Sequence, residues 1–191
     1  MKFHLNKLGW AARAILYKPM CRKLLLPSYI GKPIFASGLA HISIGRRVRI
    51  FPGIRIEAIQ DGAIKIEDNV YIGQNCHITS QGSELVIGTG TDVMANVCIT
   101  NIDHRYQDID APVLEQGVDT HETVIGKNCF IGHGSVIQAG VMLGNHVIVG
   151  ANSVVCKIIG GGGYPDNCVI VGAPARIVKK YNPESKQWEK Y

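Results

Sequence analysis

The chain has 191 residues, 46% of them hydrophobic and 18% charged, with 22 glycines. That length and apolar content suit one domain with a sizeable core, and the glycines suit a fold of short strands and tight corners. No run of eighteen apolar residues occurs, which excludes an ordinary membrane-spanning helix. The N-terminus lacks the compact apolar core and small-residue cleavage site of a secretory signal, so a cytoplasmic protein is expected.

Charge divides the chain. The net value is +5, yet residues 1–56 hold eleven Lys or Arg and no Asp or Glu, and the first acid is Glu57. Such asymmetry suggests an anionic partner for the N-terminal third. Within it Leu5, Leu8, Ala12, Ile15 and Leu16 fall on one helical face, with Trp10 and Tyr17 nearby. Residues 1–40 are therefore expected to form a basic amphipathic segment. It would either cap the end of the fold, with its charges in water, or touch the inner face of an anionic membrane. His4 has no context that gives it a role.

From Ile44 the chain counts in sixes. The clearest stretch, Ile125 to Val155, reads IGKNCF, IGHGSV, IQAGVM, LGNHVI, VGANSV, with an aliphatic opener, a frequent Gly and a small or β-branched fifth residue. A strict six-residue repeat signals a parallel β-helix, whereas an α-helix would scatter such openers around its surface. The openers are Ile44, Ile50, Ile56; Ile66, Ile72, Ile78; Ile87, Val93, Ile99; Ile125, Ile131, Ile137; Leu143, Val149, Val155. They predict five three-faced coils and a partial coil at Val169–Pro174. The β-helix domain is expected to span residues 41–180, with a tail at 181–191.

The interruptions of the period all follow the third face of a coil, so stacking gathers them along one edge, where loops can build a site. The longest runs from about Thr100 to Thr123 and reads as a functional arm. The six cysteines show no CxxC spacing, and Cys76 and Cys129 take the small fifth place, as buried free thiols would. The run Gly160–Gly163 is followed by no Gly-Lys-Ser/Thr, so it reads as a flexible lid or slack and not as a phosphate loop.

His104, in NIDHRYQD, stands at the mouth of the arm. Here the sequence resembles the hexapeptide-repeat acyltransferases. IGTGTDVMANVCITNIDH matches the family pattern in which a coil ends in a catalytic histidine, and VGAPARIVKKY matches its C-terminal signature. The resemblance covers about residues 44–180, and the nearest likeness is to O-acetyltransferases of bacterial surface-polysaccharide synthesis. It implies an all-β, left-handed parallel β-helix that works as a homotrimer, with acetyl-CoA as donor, a glycan or small-molecule acceptor and no nucleic acid. It also implies His104 as general base, a role worth about a hundred to ten-thousand-fold in rate. Asp103, Asp108, Asp110 and Glu115 are candidates to orient the imidazole.

Residue by residue, the resemblance places His133, Ala151 and Cys156 along the pantetheine arm of CoA and Arg176 and Lys179 at its phosphates. Phe130 stands where the family often has Trp. Gln74, with Asn75 beside it, takes the place of an acceptor-binding Asn, so with Asp103 they are the acceptor-side candidates, and acceptor identity does not carry over. His41, His77, His121, His133 and His146 raise the question of zinc, because some left-handed β-helices resemble carbonic anhydrases. That family's pair of histidines five apart is missing, so no metal is expected. The rival readings are N-acylation of an amino sugar nucleotide and a non-catalytic scaffold.

Overall fold

The computed structural model describes residues 3–158 and 161–191, with side chains from Lys7 onward, so the His4 and Leu5 side chains and Gly160 lie outside what is described. The fold is the parallel β-helix that the sixes predict, left-handed as the resemblance implies, built from three parallel sheets that form the faces of a triangular prism. The first-face openers Ile44, Ile66, Ile87, Ile125 and Leu143 pair one above another. The second-face column runs Ile50, Ile72, Val93, Ile131, Val149. The third runs Ile56, Ile78, Ile99, Ile137, Val155. All fifteen are buried, and each such side chain taken fully out of water contributes about 1.5–3 kcal/mol.

The fifth places fill the corners of the same core, where Cys76, Cys129, Val147 and Ser153 are all buried. Where that place is polar it is satisfied: Thr91 Oγ1 donates to the Gly126 carbonyl at 2.8 Å and Ser135 Oγ to that of Gly150 at 2.9 Å. Corners turn through left-handed backbone at Asn69, Asn75, Asn96, Asn128 and Asn152, with φ between 53° and 61°, a conformation Asn tolerates better than most residues. Gly132, the second residue of its six, is held by close stacking, since a Cβ there would lie 2.6 Å from the Ala151 nitrogen.

The ladder starts one coil before the expected boundary at residue 41. Lys23–Leu24, Tyr29–Ile30 and Phe35–Ser37 pair in parallel with the coil above, and put Leu24, Ile30 and Ala36 beneath Ile44, Ile50 and Ile56. At the other end the partial coil has a shifted register. Ile170, not Val169, pairs with Val149, and Tyr164, six residues earlier, bridges to Leu143 on the first face. Both are buried, because a large aromatic ring closes the end where an aliphatic opener would leave a void. The chain then folds back as Ala175–Asn182 and Gln187–Lys190, antiparallel on the second face, so the expected tail at 181–191 is part of a hairpin.

The N-terminal helix, Phe3–Tyr17, packs on the second face with a different side from the one its aliphatic residues mark. Ala14 is fully buried, the Trp10 ring meets Phe51 edge-on at 5.0 Å, Tyr17 rests on the core, and Arg13 Nη1 donates to the Ile30 carbonyl at 3.0 Å. Aromatic area and one backbone acceptor thus settle which side docks, and Leu8, Ala12, Ile15 and Leu16 face outward. No described helix is long and apolar enough to cross a membrane.

Candidate active site

All the interruptions between the third and first faces gather on one edge, and the arm grows from it. Ile102–His104 pairs antiparallel with Val118–Thr120, with His104 opposite Val118. Arg105 Nε donates to Asp119 Oδ1 at 2.7 Å, and the tip is tied by Gln116 Nε2 to the carbonyls of Asp108 and Ala111 at 2.8 and 2.9 Å. The arm is therefore an ordered hairpin with its own hydrogen bonds, and the exposed His104 sits near its root.

The root is fixed by a residue the sequence did not single out. Asn101 is fully buried, and its Nδ2 donates to Ser80 Oγ at 3.1 Å, the Gln81 carbonyl at 3.1 Å and Ser83 Oγ at 2.9 Å. Its Oδ1 accepts the Gln81 N–H at 2.9 Å. Buried Thr123, where the arm returns, donates to the Thr100 carbonyl at 3.2 Å and accepts from the Gly140 N–H at 3.1 Å. A polar residue at the point where the period breaks was the signal available.

Asp103 does not turn to His104. Successive strand residues point to opposite sides, and Asp103 Oδ2 instead lies 4.0 Å from Nε2 of His121. Asp108 Oδ1 is taken up by the Asp110 N–H at the arm's tip, at 3.0 Å.

The third face itself carries outward chemistry. Arg55, His77 and Cys98 stand in one column, and Glu57, Thr79 and Thr100 in the next. Glu57 is buried between Arg55 Nε, to which it is hydrogen-bonded, and His77 Nε2 at 3.8 Å, while Thr79 Oγ1 lies 2.8 Å from that same nitrogen. Burial, and then the Arg55 charge, pull the His77 pKa below its ordinary value, with Glu57 opposing them.

The opposite edge of this face, between the second and third sheets, gathers candidates from distant parts of the sequence. Backbone hydrogen bonds stack the corners of Pro52, Gln74, Ala95, His133 and Ala151 in one column, each N–H of the fourth residue reaching the carbonyl of the coil below. Gln74, His133 and Ala151 are all exposed there, and Asn96 Nδ2 lies 3.3 Å from His133 Nε2. Asn75 turns the corner with φ 57°. Thus His104 and the Gln74–His133–Ala151 column flank the third face from its two edges.

Cys156 ends the outward column of that face and lines a cavity of about 570 Å³ with Lys157, Tyr164, Arg176 and Tyr191. Tyr164 O–H donates to the Cys156 carbonyl at 3.2 Å and so holds the strand end to the closing coil. Arg176 and Lys179, three apart, would point to opposite sides of a regular strand. The ladder slips between Val169 and Ile170, leaving Val178 as a bulge, so both cations share the outer side. Gly161 and Gly162, with φ 90° and 84°, have open space around them and lead into Tyr164. Among the described residues no three His, Cys, Asp or Glu side chains gather closely enough to hold a metal ion.

Comparison with known proteins agrees with this architecture. The family model described as bacterial transferase hexapeptide (six repeats) matches residues 122–157, and that of the hexapeptide repeat of succinyl-transferase matches 63–101. WbbJ of Escherichia coli K12, named as a candidate O-acetyl transferase of lipopolysaccharide biosynthesis, is 36% identical over 177 residues, covering 89% of this chain and 84% of its own. Among solved structures, the N-acyltransferase AntD of Bacillus cereus, in complex with dTDP and 3-hydroxybutyryl-CoA, superposes with TM-score 0.76 at 20% identity, over 91% of this chain and 90% of its own. The acetyltransferase VCA0836 of Vibrio cholerae, complexed with acetyl-CoA, has TM-score 0.60 at 22% identity, over 90% and 78%. With its fold, its repeat and this identity over most of two chains in agreement, the protein belongs to the hexapeptide-repeat acyltransferases.

Proposed function

We propose that the chain is a cytoplasmic acetyl-CoA-dependent O-acetyltransferase that acetylates a sugar hydroxyl of a bacterial surface polysaccharide or its precursor. The observation that carries this reading is the exposed His104 at the root of an ordered arm, beside a face whose far edge presents Gln74, His133 and Ala151. The imidazole takes the proton as the sugar oxygen attacks the thioester carbonyl, and passes it to the departing CoA thiolate. The negative charge on the carbonyl oxygen needs a donor, for which an edge backbone N–H is suited. Gln74 and Asn75 bind the acceptor. Cys156, His133 and Ala151 border the pantetheine, and Arg176 and Lys179 meet the nucleotide phosphates. Identity with WbbJ favours a hydroxyl acceptor, and the six free cysteines suit a reducing compartment.

A homotrimer completes the site. The arm's tip exposes Tyr106, Val113, Ile109 and Leu114, the last two by 94% and 82%, an apolar surface that a neighbouring copy would cover. A second reading, N-acylation of an amino sugar nucleotide, is favoured by the likeness to AntD. The test is CoA release from acetyl-CoA with hydroxyl and amino sugars, for the wild type and His104→Ala. Turnover on hydroxyl sugars that falls at least about a hundredfold in a folded His104→Ala protein supports the proposal. Turnover on amino sugars alone supports the second reading. Undiminished turnover in the variant refutes the role of His104, and none with any acceptor favours a scaffold.

A further inference from the structure

The N-terminal helix hides the residues that look least like a core and displays those that look most like one. Leu8, Ile15 and Leu16 are 67%, 59% and 70% exposed, and Met20 just beyond the helix is 53% exposed. With exposed Ala12, positions 8, 12, 15 and 16 make one continuous stripe at helical spacing. It is not a failed core contact, because Trp10, Ala14 and Tyr17 already complete the docking on the opposite side.

The charges around this stripe have a single sign. Lys18, Arg22 and Lys23 follow it and are exposed, and no Asp or Glu occurs before Glu57. An aromatic chain leads from the helix across the second face: Trp10 on Phe51 at 5.0 Å, Phe51 on Tyr71 at 4.9 Å, and Arg49 above Tyr71 at 5.8 Å. Arg49 and Arg47 line an open cleft of about 330 Å³ with Pro27, Tyr29 and Asn69. Two guanidinium groups in a cleft that contains no acid suit a phosphate group.

We infer that this end of the prism is a docking surface for an anionic phospholipid membrane. The stripe enters the boundary between headgroups and acyl chains, and the flanking cations and the Arg47–Arg49 cleft engage lipid phosphates. Charge complementarity selects lipid over another copy of this chain, since two such ends brought together would oppose cation to cation. The helix lies beside the chemistry and not in it, so the surface holds the enzyme at a membrane without occupying the third face.

The experiment is co-sedimentation of the full chain with vesicles of phosphatidylglycerol and phosphatidylcholine, and of phosphatidylcholine alone, at low and high salt. Neither acetyl-CoA nor an acceptor is present, so the outcome is independent of the acetyl-transfer reading. Expected is binding to the anionic vesicles that weakens with salt. The joint variant Leu8→Ser, Ile15→Ser, Leu16→Ser should weaken it at least tenfold while remaining folded by circular dichroism. Arg47→Gln with Arg49→Gln should weaken it about 25-fold, at roughly fivefold per cation. Equal binding to both vesicle types, binding to neither, or binding unaffected by the serine variant overturns the inference. A serine variant whose oligomer size by light scattering falls below that of the wild type overturns it as well, and assigns the stripe to a contact between copies.

Discussion

Asn101 tests whether the root of the arm is the joint on which the site depends. In Asn101→Ala the side chain's hydrogen bonds, from Nδ2 to Ser80, Gln81 and Ser83 and to Oδ1 from the Gln81 N–H, are lost together. At a net value of about 0.5–1.5 kcal/mol each, with water able to reach the half-buried Gln81 and Ser83, the loss should be about 2–4 kcal/mol. For a chain of this size that is roughly 5–15 °C in Tm. His104 lies three residues further along, and a displacement of about 1 Å in a reacting group can cost on the order of a hundredfold. Turnover should therefore fall more than KM for either substrate rises, which distinguishes misplacement from lost binding. Urea denaturation and steady-state kinetics with acetyl-CoA read the two effects. An Asn101→Ala protein within about 0.5 kcal/mol of the wild type and at full turnover would refute the reasoning.

Two further predictions concern charge. Arg176→Ala with Lys179→Ala should raise KM for acetyl-CoA about tenfold or more, with kcat little changed, because phosphates far from the reacting carbonyl contribute equally to ground and transition states; an unchanged KM in steady-state assays would remove both from the CoA site. His77 has a folded pKa lowered from 6.5, so the unfolded chain binds the proton more readily, and stability present above pH 6.5 should decline as pH falls through the lower folded value. Thermal melts between pH 7.5 and 5 should show His77→Gln losing less stability over that range than the wild type, and parallel slopes would contradict the assignment.

The fold was legible because six-residue spacing is a direct image of the prism: every opener between Ile44 and Val155 found its face and its vertical neighbours. The periodicity weakens where other interactions take over the opener's work. Ala36 is too small to announce a coil, yet it sits beneath Ile56. Tyr164 is too polar to look like an opener, but its O–H finds the Cys156 carbonyl and its ring fills the first-face place. The spacing of the helix did not say which side docks. Its aliphatic residues marked one side, whereas Trp10, Ala14 and Tyr17 supply the contact with the prism. In the site, the resemblance named Gln74, His133 and Ala151, which the structure stacks on one edge, but nothing in the spacing could show Asn101 at the centre of a hydrogen-bond cluster, because its partners lie a coil away.

The same spacing explains where chemistry can enter this fold. In each coil the openers, and on the first and second faces the fifth places too, are spoken for by the interior, and the second place is constrained wherever a Cβ would strike the next coil, as at Gly132. That leaves the third and fourth places at the corners, the outward residues of each short strand, and the insertions between coils. Gln74, His133 and Ala151 are third-place residues, Arg55, Glu57 and His77 are outward strand residues, and His104 belongs to an insertion. A change at any of these alters what the third face presents without altering the ladder beneath it. Acceptor preference can thus diverge through corner and arm residues while the repeat stays intact, and the length and root of the arm should govern specificity more than any residue inside the prism.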